Sequence, residues 1–382
     1  MKTMDEVQAM TPERDPWEAY MDVEEHGEMI LSNVEFTTTF MCNMRCAHCA
    51  VGYQLKPSDP DALPIELMIE RLDEIPHLRT LSITGGEPMM NKKSVRNYVV
   101  PLLKYAKSRG VKTQLNSNLT LPYDRYEEVI PYVDVMHISH NWGTEDEFAE
   151  TGFAKMERKP DAERRKKLLR QMIENSRRLA DQGVMVSAET MLNKKTFPYL
   201  EKIHDQVVNE MGCKRHEIHP MYPVDFASSL ETLELDEIRE GIERLLDHRN
   251  KDIWMLFGTL PFYACSSNTK DLELLERLYR EKNVSLRNDP DGRSRLNVNI
   301  FSGEIIVTDF GDEPPLGNIQ TTSLPEAYAK WRETNTAKSL NCHCPAVKCL
   351  GPNILVKNTY YEDVDFRKRK ANITAPGLKG GH

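Results

Sequence analysis

Val34-Glu35-Phe36-Thr37-Thr38-Thr39-Phe40-Met41-Cys42-Asn43-Met44-Arg45-Cys46-Ala47-His48-Cys49 is the stretch around which the rest of this chain is organised. Its first half, Val34 to Phe40, is apolar and Thr-rich and reads as a strand. Three thiols follow within eight residues, spaced by three and then two, with no fourth cysteine nearby. Soft ligands on one loop at a strand's end can hold a thiophilic metal centre and leave one position open. An open position separates a metal site that does chemistry from one that staples a fold. An iron–sulfur cluster usually takes four thiolates, so three leave one iron free for a substrate or cofactor. The bland alternative is a structural zinc site completed by His48 or a distant cysteine.

A second motif lies about forty residues on, where the strand Leu78 to Ile83 runs into Ser82-Ile83-Thr84-Gly85-Gly86-Glu87-Pro88. The glycines let backbone approach a ligand closely, and Glu87 can accept from an ammonium group with charge-assisted strength. Cys-x3-Cys-x2-Cys followed by Gly-Gly-Glu-Pro resembles radical S-adenosylmethionine (radical SAM) enzymes. The resemblance implies a [4Fe–4S] cluster on Cys42, Cys46 and Cys49 that binds SAM at its open iron. It implies that Gly85, Gly86 and Glu87 hold the amino group of the SAM methionine. Ser139 matches a position that commonly contacts SAM, and Met221 matches one beside the adenine. His48 stands where relatives usually carry Tyr or Phe, and its imidazole can still stack on or bond the adenine.

Length and composition bound the rest. At 382 residues the chain exceeds what one hydrophobic core usually serves, so two domains are expected. Apolar content of 40% is ample for packed cores at this size. A net charge of −9 argues against a broadly nucleic-acid-binding surface. No apolar run approaches membrane-spanning length, and Met1 to Glu25 lacks the apolar segment of a signal peptide. Eight cysteines at metal-like spacings suit a reducing cytoplasm better than a disulfide framework.

Residues 1–33 read as a partly helical lead-in, with Asp15 as N-cap and Pro16 at the first helical position. From Val34 to about Pro223 strands and helices alternate. Helices are expected over Pro64 to Ile75, Val95 to Arg109, Tyr123 to Ile130, Ala162 to Gln182 and Phe197 to Met211. Strands are expected over Val111 to Asn116, Val133 to Ser139, Val184 to Met191 and Glu217 to Met221. Repeated βα units imply a parallel sheet with helices outside, and six strands make a partial (β/α)6 barrel, the radical SAM core. Sites in such folds lie at the carboxyl ends of strands, which adds Asn116 and Ser139 to the candidates. His137, between apolar neighbours, reads as a satisfied core histidine, and Cys213 as an ordinary thiol. The charge run from Lys155 to Arg170 reads as a solvated helix face.

Past Pro223 the alternation is expected to stop. Residues 226–258 are assigned to a bridging segment containing a helix from Leu235 to Asn250, and 259–356 to a small α+β cysteine-rich domain. The Phe257 to Cys265 segment resembles the first-cysteine region of SPASM or twitch auxiliary-cluster domains. A hairpin of Leu296 to Ile300 with Ile305 to Thr308 and a helix from Leu324 to Arg332 follow, then Cys342-His343-Cys344-Pro345-Ala346-Val347-Lys348-Cys349. With Cys265 as fourth thiolate, or His343 within the loop as an alternative ligand, this site closes its shell, and would carry electrons or order the fold; zinc suits it too. Residues 357–382, with Arg367-Lys368-Arg369-Lys370, read as a disordered tail.

The whole pattern resembles the radical SAM/CxCxxxxC-motif (YfkAB-type) family. The implied activity is reductive cleavage of SAM to a 5′-deoxyadenosyl radical that abstracts hydrogen from a substrate. A peptide or protein is expected first and a small metabolite second, with a flavodoxin- or ferredoxin-type electron donor; that order rests on analogy. A non-catalytic iron–sulfur or zinc carrier or scaffold is the competing class. The Gly-Gly-Glu turn discriminates, because a carrier needs no ammonium-binding acid.

Overall fold

The computed structural model describes residues 10–310, 313–340 and 342–376. Its frame is one sheet of eleven strands. These are β1 (Asn33–Thr37), β2 (Thr80–Thr84), β3 (Lys112–Ser117), β4 (Val135–Ser139), β5 (Met185–Leu192) and β6 (Arg215–Pro220). Then come β7 (Trp254–Gly258), β8 (Val284–Arg287), β9 (Arg295–Asn299), β10 (Glu304–Ile306) and β11 (Gly317–Asn318). The spatial order is β11-β10-β9-β1-β2-β3-β4-β5-β6-β7-β8, and every pairing from β9 to β8 is parallel. The fold is α/β with a parallel-dominated sheet, and the six expected strands stand in the expected order.

The alternation does not stop at Pro223. The helix Leu235–His248 is the crossover from β6 to β7, and Thr269–Arg280 the crossover from β7 to β8. Met255 and Phe257 bury against Ile218, Leu245 and Leu274. The apolar sequence Trp254-Met255-Leu256-Phe257 is a buried parallel strand in its own right. The expected hairpin forms as β9 and β10, and β9 also pairs in parallel with β1, register Glu35 to Asn297.

Alternation of side chains across the sheet sets the interior. Val34, Phe36, Leu81, Ile83, Leu115, Met136, Ile138, Val186, Leu296 and Val298 pack outward against helices in one core. The intervening positions, among them Glu35, Gln114, Asn116, His137, Glu189 and Glu217, face a common cavity instead. Parallel strands buried on both faces normally read as continuous apolar runs, so a polar inner face marks an enclosed site.

The lead-in differs from expectation. Asp15 and Pro16 start no helix; the helix is Tyr20–His26. Asp15 instead accepts from Trp17 N (3.1 Å) and pairs with Arg287 (2.6 Å). Trp17 is 1% exposed, lines the cavity and donates from Nε1 to Ser82 Oγ at 3.1 Å. Trp17 thus covers part of the cavity wall, with Asp15 anchoring the segment to Arg287. Up to residue 376 the expected disordered tail is also ordered: Ile354–Tyr360 is a helix, Asn372 N donates to Ala264 O (2.7 Å), and Ala375 N donates to Ala346 O (3.0 Å). Its apolar Phe366, Ile373 and Ala375 supply the packing that offsets its charge run. Residues 377–382 lie outside the described residues. No described helix is long and apolar enough to cross a membrane.

Candidate active site

Parallel pairing of β1 and β2 continues past both strands into the two motifs. Thr38 N donates to Thr84 O (3.0 Å), Gly86 N to Thr39 O (2.8 Å) and Glu87 N to Met41 O (2.7 Å). A Cβ on Gly85 would lie 2.4 Å from Thr39 O, and one on Gly86 2.3 Å from Met41 O. The glycines are therefore required by the backbone of the thiol loop itself, not only by an incoming ligand.

Cys42, Cys46, His48, Cys49, Gly85, Gly86, Asn116, Ser139 and Met221 all line one cavity of about 370 Å³. That volume falls in the range of small-molecule sites. Glu87 departs from expectation. It is fully buried and is not among the residues lining the cavity. Its oxygens accept from Ser117 Oγ (2.9 and 3.0 Å), Asn118 N (2.8 Å) and Met89 N (3.2 Å), and burial pushes its pKa up to about 7. The side chain ties the end of β2 to the end of β3, so the backbone of the turn is what faces the cavity.

The thiol loop fits an iron–sulfur cluster. Met44 N (3.4 Å) and Asn118 Nδ2 (3.7 Å) both point donors at Cys42 Sγ, as a thiolate requires. Burial pushes the Cys42 thiol up to about 12 and raises Cys46 and Cys49, so a metal rather than water must displace these protons. His48 is buried, and burial lowers its pKa to about 4. Asn141 Oδ1 accepts from Met191 N (2.6 Å), which leaves Nδ2 facing His48 Nε2 at 3.3 Å. The imidazole is thus neutral, accepts at Nε2 and lies 5.6 Å from the Trp142 ring.

Below the motifs lies a charged floor. His137 sits between Glu189 (Nε2, 2.9 Å) and Glu217 (Nδ1, 3.4 Å); it is a cavity residue and not the core histidine expected. Burial alone would lower its pKa, but the two carboxylates raise it to about 9. Glu217 also meets Arg215 (2.5 Å) and Arg287 (2.9 Å), which against the opposing pull of burial hold its carboxyl well below the usual range. Arg295 pairs with Asp291 (2.6 Å) and lies 3.7 Å from Glu35. None of Glu35, Glu189, Glu217, His219, Arg287, Asp291, Arg295 or Asp309 was singled out from the sequence as a site residue. The available signal was a lone carboxylate inside β1 (Glu35) and β5 (Glu189) and polar residues at alternate positions of β6; Asp291 and Asp309 lie outside the strands.

The later cysteines gather at the far end of the chain. Cys344 and Cys349 exchange backbone hydrogen bonds (2.9 and 3.1 Å), closing the Cys-x4-Cys loop. Burial raises Cys265 and Cys342 and pushes Cys349 up to about 12, and neighbouring thiols add to each shift. Cys342 and Cys349 both feel the charge of Cys265, and Cys265 that of Cys344, so the four thiols lie within electrostatic reach of one another. Arg293 steadies the loop from below, donating Nη2 to Leu350 O (3.3 Å), Gly351 O (2.7 Å) and Pro352 O (2.7 Å). His343 turns instead to Tyr20 Oη, at 3.1 Å.

A thiol triad whose leading segment is hydrogen-bonded to a Gly-Gly turn, over a parallel α/β frame, defines a radical SAM protein. Residues 36–196 match the Radical SAM superfamily and 221–371 match a YfkB-like domain. YfkA of Bacillus subtilis (strain 168) is 68% identical over 362 residues, covering 95% of this chain and 97% of that protein. The chain therefore belongs to the YfkA family of radical SAM enzymes, with a [4Fe–4S] cluster and SAM as the cofactors that the superfamily implies. Among solved structures, Streptococcus suis SuiB bound to S-adenosylmethionine superposes with TM-score 0.57 at 15% identity, over 84% of this chain and 73% of that one. The structure of anSMEcpe with bound AdoMet gives TM-score 0.55 at 16% identity, over 80% of this chain and 78% of that one.

Proposed function

We propose that Cys42, Cys46 and Cys49 hold the SAM-binding cluster and that the cavity takes SAM and a substrate together for hydrogen abstraction. Bound there, cluster and SAM supply a 5′-deoxyadenosyl radical by one-electron cleavage. The chain's own part is to bind, orient and exclude water. The backbone of Gly85 and Gly86 faces the methionine end of SAM, while His48, Asn116, Ser139 and Met221 line the wall for the rest of it. Trp17, itself buried, walls off part of the cavity from solvent. Support comes from the triad and the Gly-Gly turn lining one cavity, with the segment leading into Cys42 accepting hydrogen bonds from Gly86 N and Glu87 N through Thr39 O and Met41 O.

Cys265, Cys342, Cys344 and Cys349 form the second site, a fully ligated [4Fe–4S] cluster that relays electrons from a flavodoxin- or ferredoxin-type donor. A peptide or protein is the first substrate class. The similar folds include SuiB bound to its precursor peptide SuiA and anSMEcpe with the Cp18Cys peptide. Anaerobic reconstitution, reduction and a search for 5′-deoxyadenosine test the first site. Iron counting in a Cys42/Cys46/Cys49→Ala variant tests the second: it should lose 5′-deoxyadenosine formation and part of its iron. Retention of all bound iron would sink the two-site reading.

A further inference from the structure

The charged floor divides into two unequal halves. On one side Glu189, Glu217 and Asp15 are matched by His137, Arg215 and Arg287. On the other, Glu35, Asp291 and Asp309 share the single guanidinium of Arg295. Carboxyls outnumber cations there, in a cavity that Trp17 also lines. Burial first, then their mutual repulsion, pushes Asp309 up to about 7; burial likewise pushes Asp291 up to about 6.

Two amides in the same corner show what is wanted. Gln114 is 7% exposed and lines the cavity. Its Nε2 donates to Asn116 Oδ1 (2.8 Å), and Asn116 Nδ2 donates to Glu35 Oε2 (3.1 Å). Because that relay ends on an acceptor-only carboxylate, its direction is fixed, and Gln114 Oε1 is left buried without a partner. Asn297 is 2% exposed and stands opposite Glu35 in the β1–β9 register, and its Oδ1 is also unpartnered. Surplus carboxyls and orphaned carbonyls are all acceptors. A buried set of this kind is completed by a group that only donates and carries positive charge.

We propose that this corner binds the cationic group of the substrate, a protonated amine or guanidinium, held by Glu35, Asp291 and Asp309 with Gln114 and Asn297 completing its hydrogen bonds. This rests on the cavity's taking SAM and substrate together. Glu35 and Gln114 lie within their strands, deeper than the Cys42 loop and the Gly85–Gly86 turn beyond the strand ends, so the corner lies below the SAM wall and adjoins it at Asn116. It narrows a peptide substrate to a lysine or arginine side chain or a free amino terminus, and a small metabolite to an amine.

The test uses reconstituted, SAM-loaded full chain titrated with n-butylamine and agmatine against the isosteres n-butanol and butyrate, followed calorimetrically. Both cations should bind about tenfold or more tightly than either isostere, the scale of a charge-assisted hydrogen bond. Glu35→Gln and Asp309→Asn should each remove that preference. Equal binding of cation, alcohol and anion by the parent protein would overturn the proposal, whatever the variants do. So would displacement of SAM by the amines, which would make the corner a seat for SAM's own ammonium. Absence of 5′-deoxyadenosine from reduced parent protein would instead count against the radical SAM chemistry, so the two failures are told apart.

Discussion

Alanine at Gly86 is a direct probe of how the two motifs depend on each other. Its Cβ would meet Met41 O at 2.3 Å, Met41 C at 2.7 Å and Leu55 Cδ2 at 3.0 Å, where ordinary contact starts at 3.4 Å. Two of those atoms are backbone, next to Cys42, so the thiol loop must retreat by about 1 Å in a close-packed interior. Overpacking of this kind costs about 1–3 kcal/mol. Weakening of the Gly86 N to Thr39 O and Glu87 N to Met41 O hydrogen bonds adds about 0.5–1.5 kcal/mol each. Gly110→Ala is the control. Its φ of +71° strains alanine by about 1–2 kcal/mol, but nothing lies within 4 Å of the new methyl. Iron and sulfide content after reconstitution, SAM affinity by calorimetry and thermal unfolding should separate the two. Gly86→Ala should lose on all three counts, and Gly110→Ala on stability alone. Full iron content and parental SAM affinity in Gly86→Ala would refute the claim that the thiol loop is positioned by this turn.

His137→Gln should destabilise in a pH-dependent way. The folded pKa is raised to about 9, so the stabilisation is complete below the ordinary value of 6.5 and is lost as pH climbs through 9. Urea unfolding should therefore show a larger deficit at pH 6 than at pH 10, and an equal deficit at both would contradict the Glu189–His137–Glu217 arrangement. Arg293→Lys cannot reproduce the fan of bonds to Leu350, Gly351 and Pro352 carbonyls, and should release iron from the second site while the first site still cleaves SAM. Loss of iron from both sites, or from neither, would show that the loop does not depend on this fan. Trp17→Ala should cost about 3–5 kcal/mol, read as a fall in the denaturant midpoint, because it empties a position that is 1% exposed. A shift within the scatter of surface substitutions would mean that the lead-in does not wall the cavity.

Local chemistry made the thiol spacing, the Gly-Gly-Glu-Pro turn and the order of the first six strands legible, because each is written within a few neighbouring residues. Helix stops at Gly110 and Gly183 were equally plain, both at positive φ. The strand Trp254–Gly258 was hidden, since a short apolar run after a charged helix reads the same in a bridging segment as in a sheet. Direction of a side chain was hidden too. Glu87 sits in the right motif yet turns inward to Ser117 and Asn118, a choice made by donors on another strand. Asp15 and Arg287 meet across most of the chain's length, and Cys265 comes within electrostatic reach of Cys342 and Cys349 only through packing. The sequence by itself determined which residues could ligate and where the strands end. Only the tertiary structure decided that alternate positions of separate strands converge on one polar cavity, because a strand's inner face is defined by what curls around it.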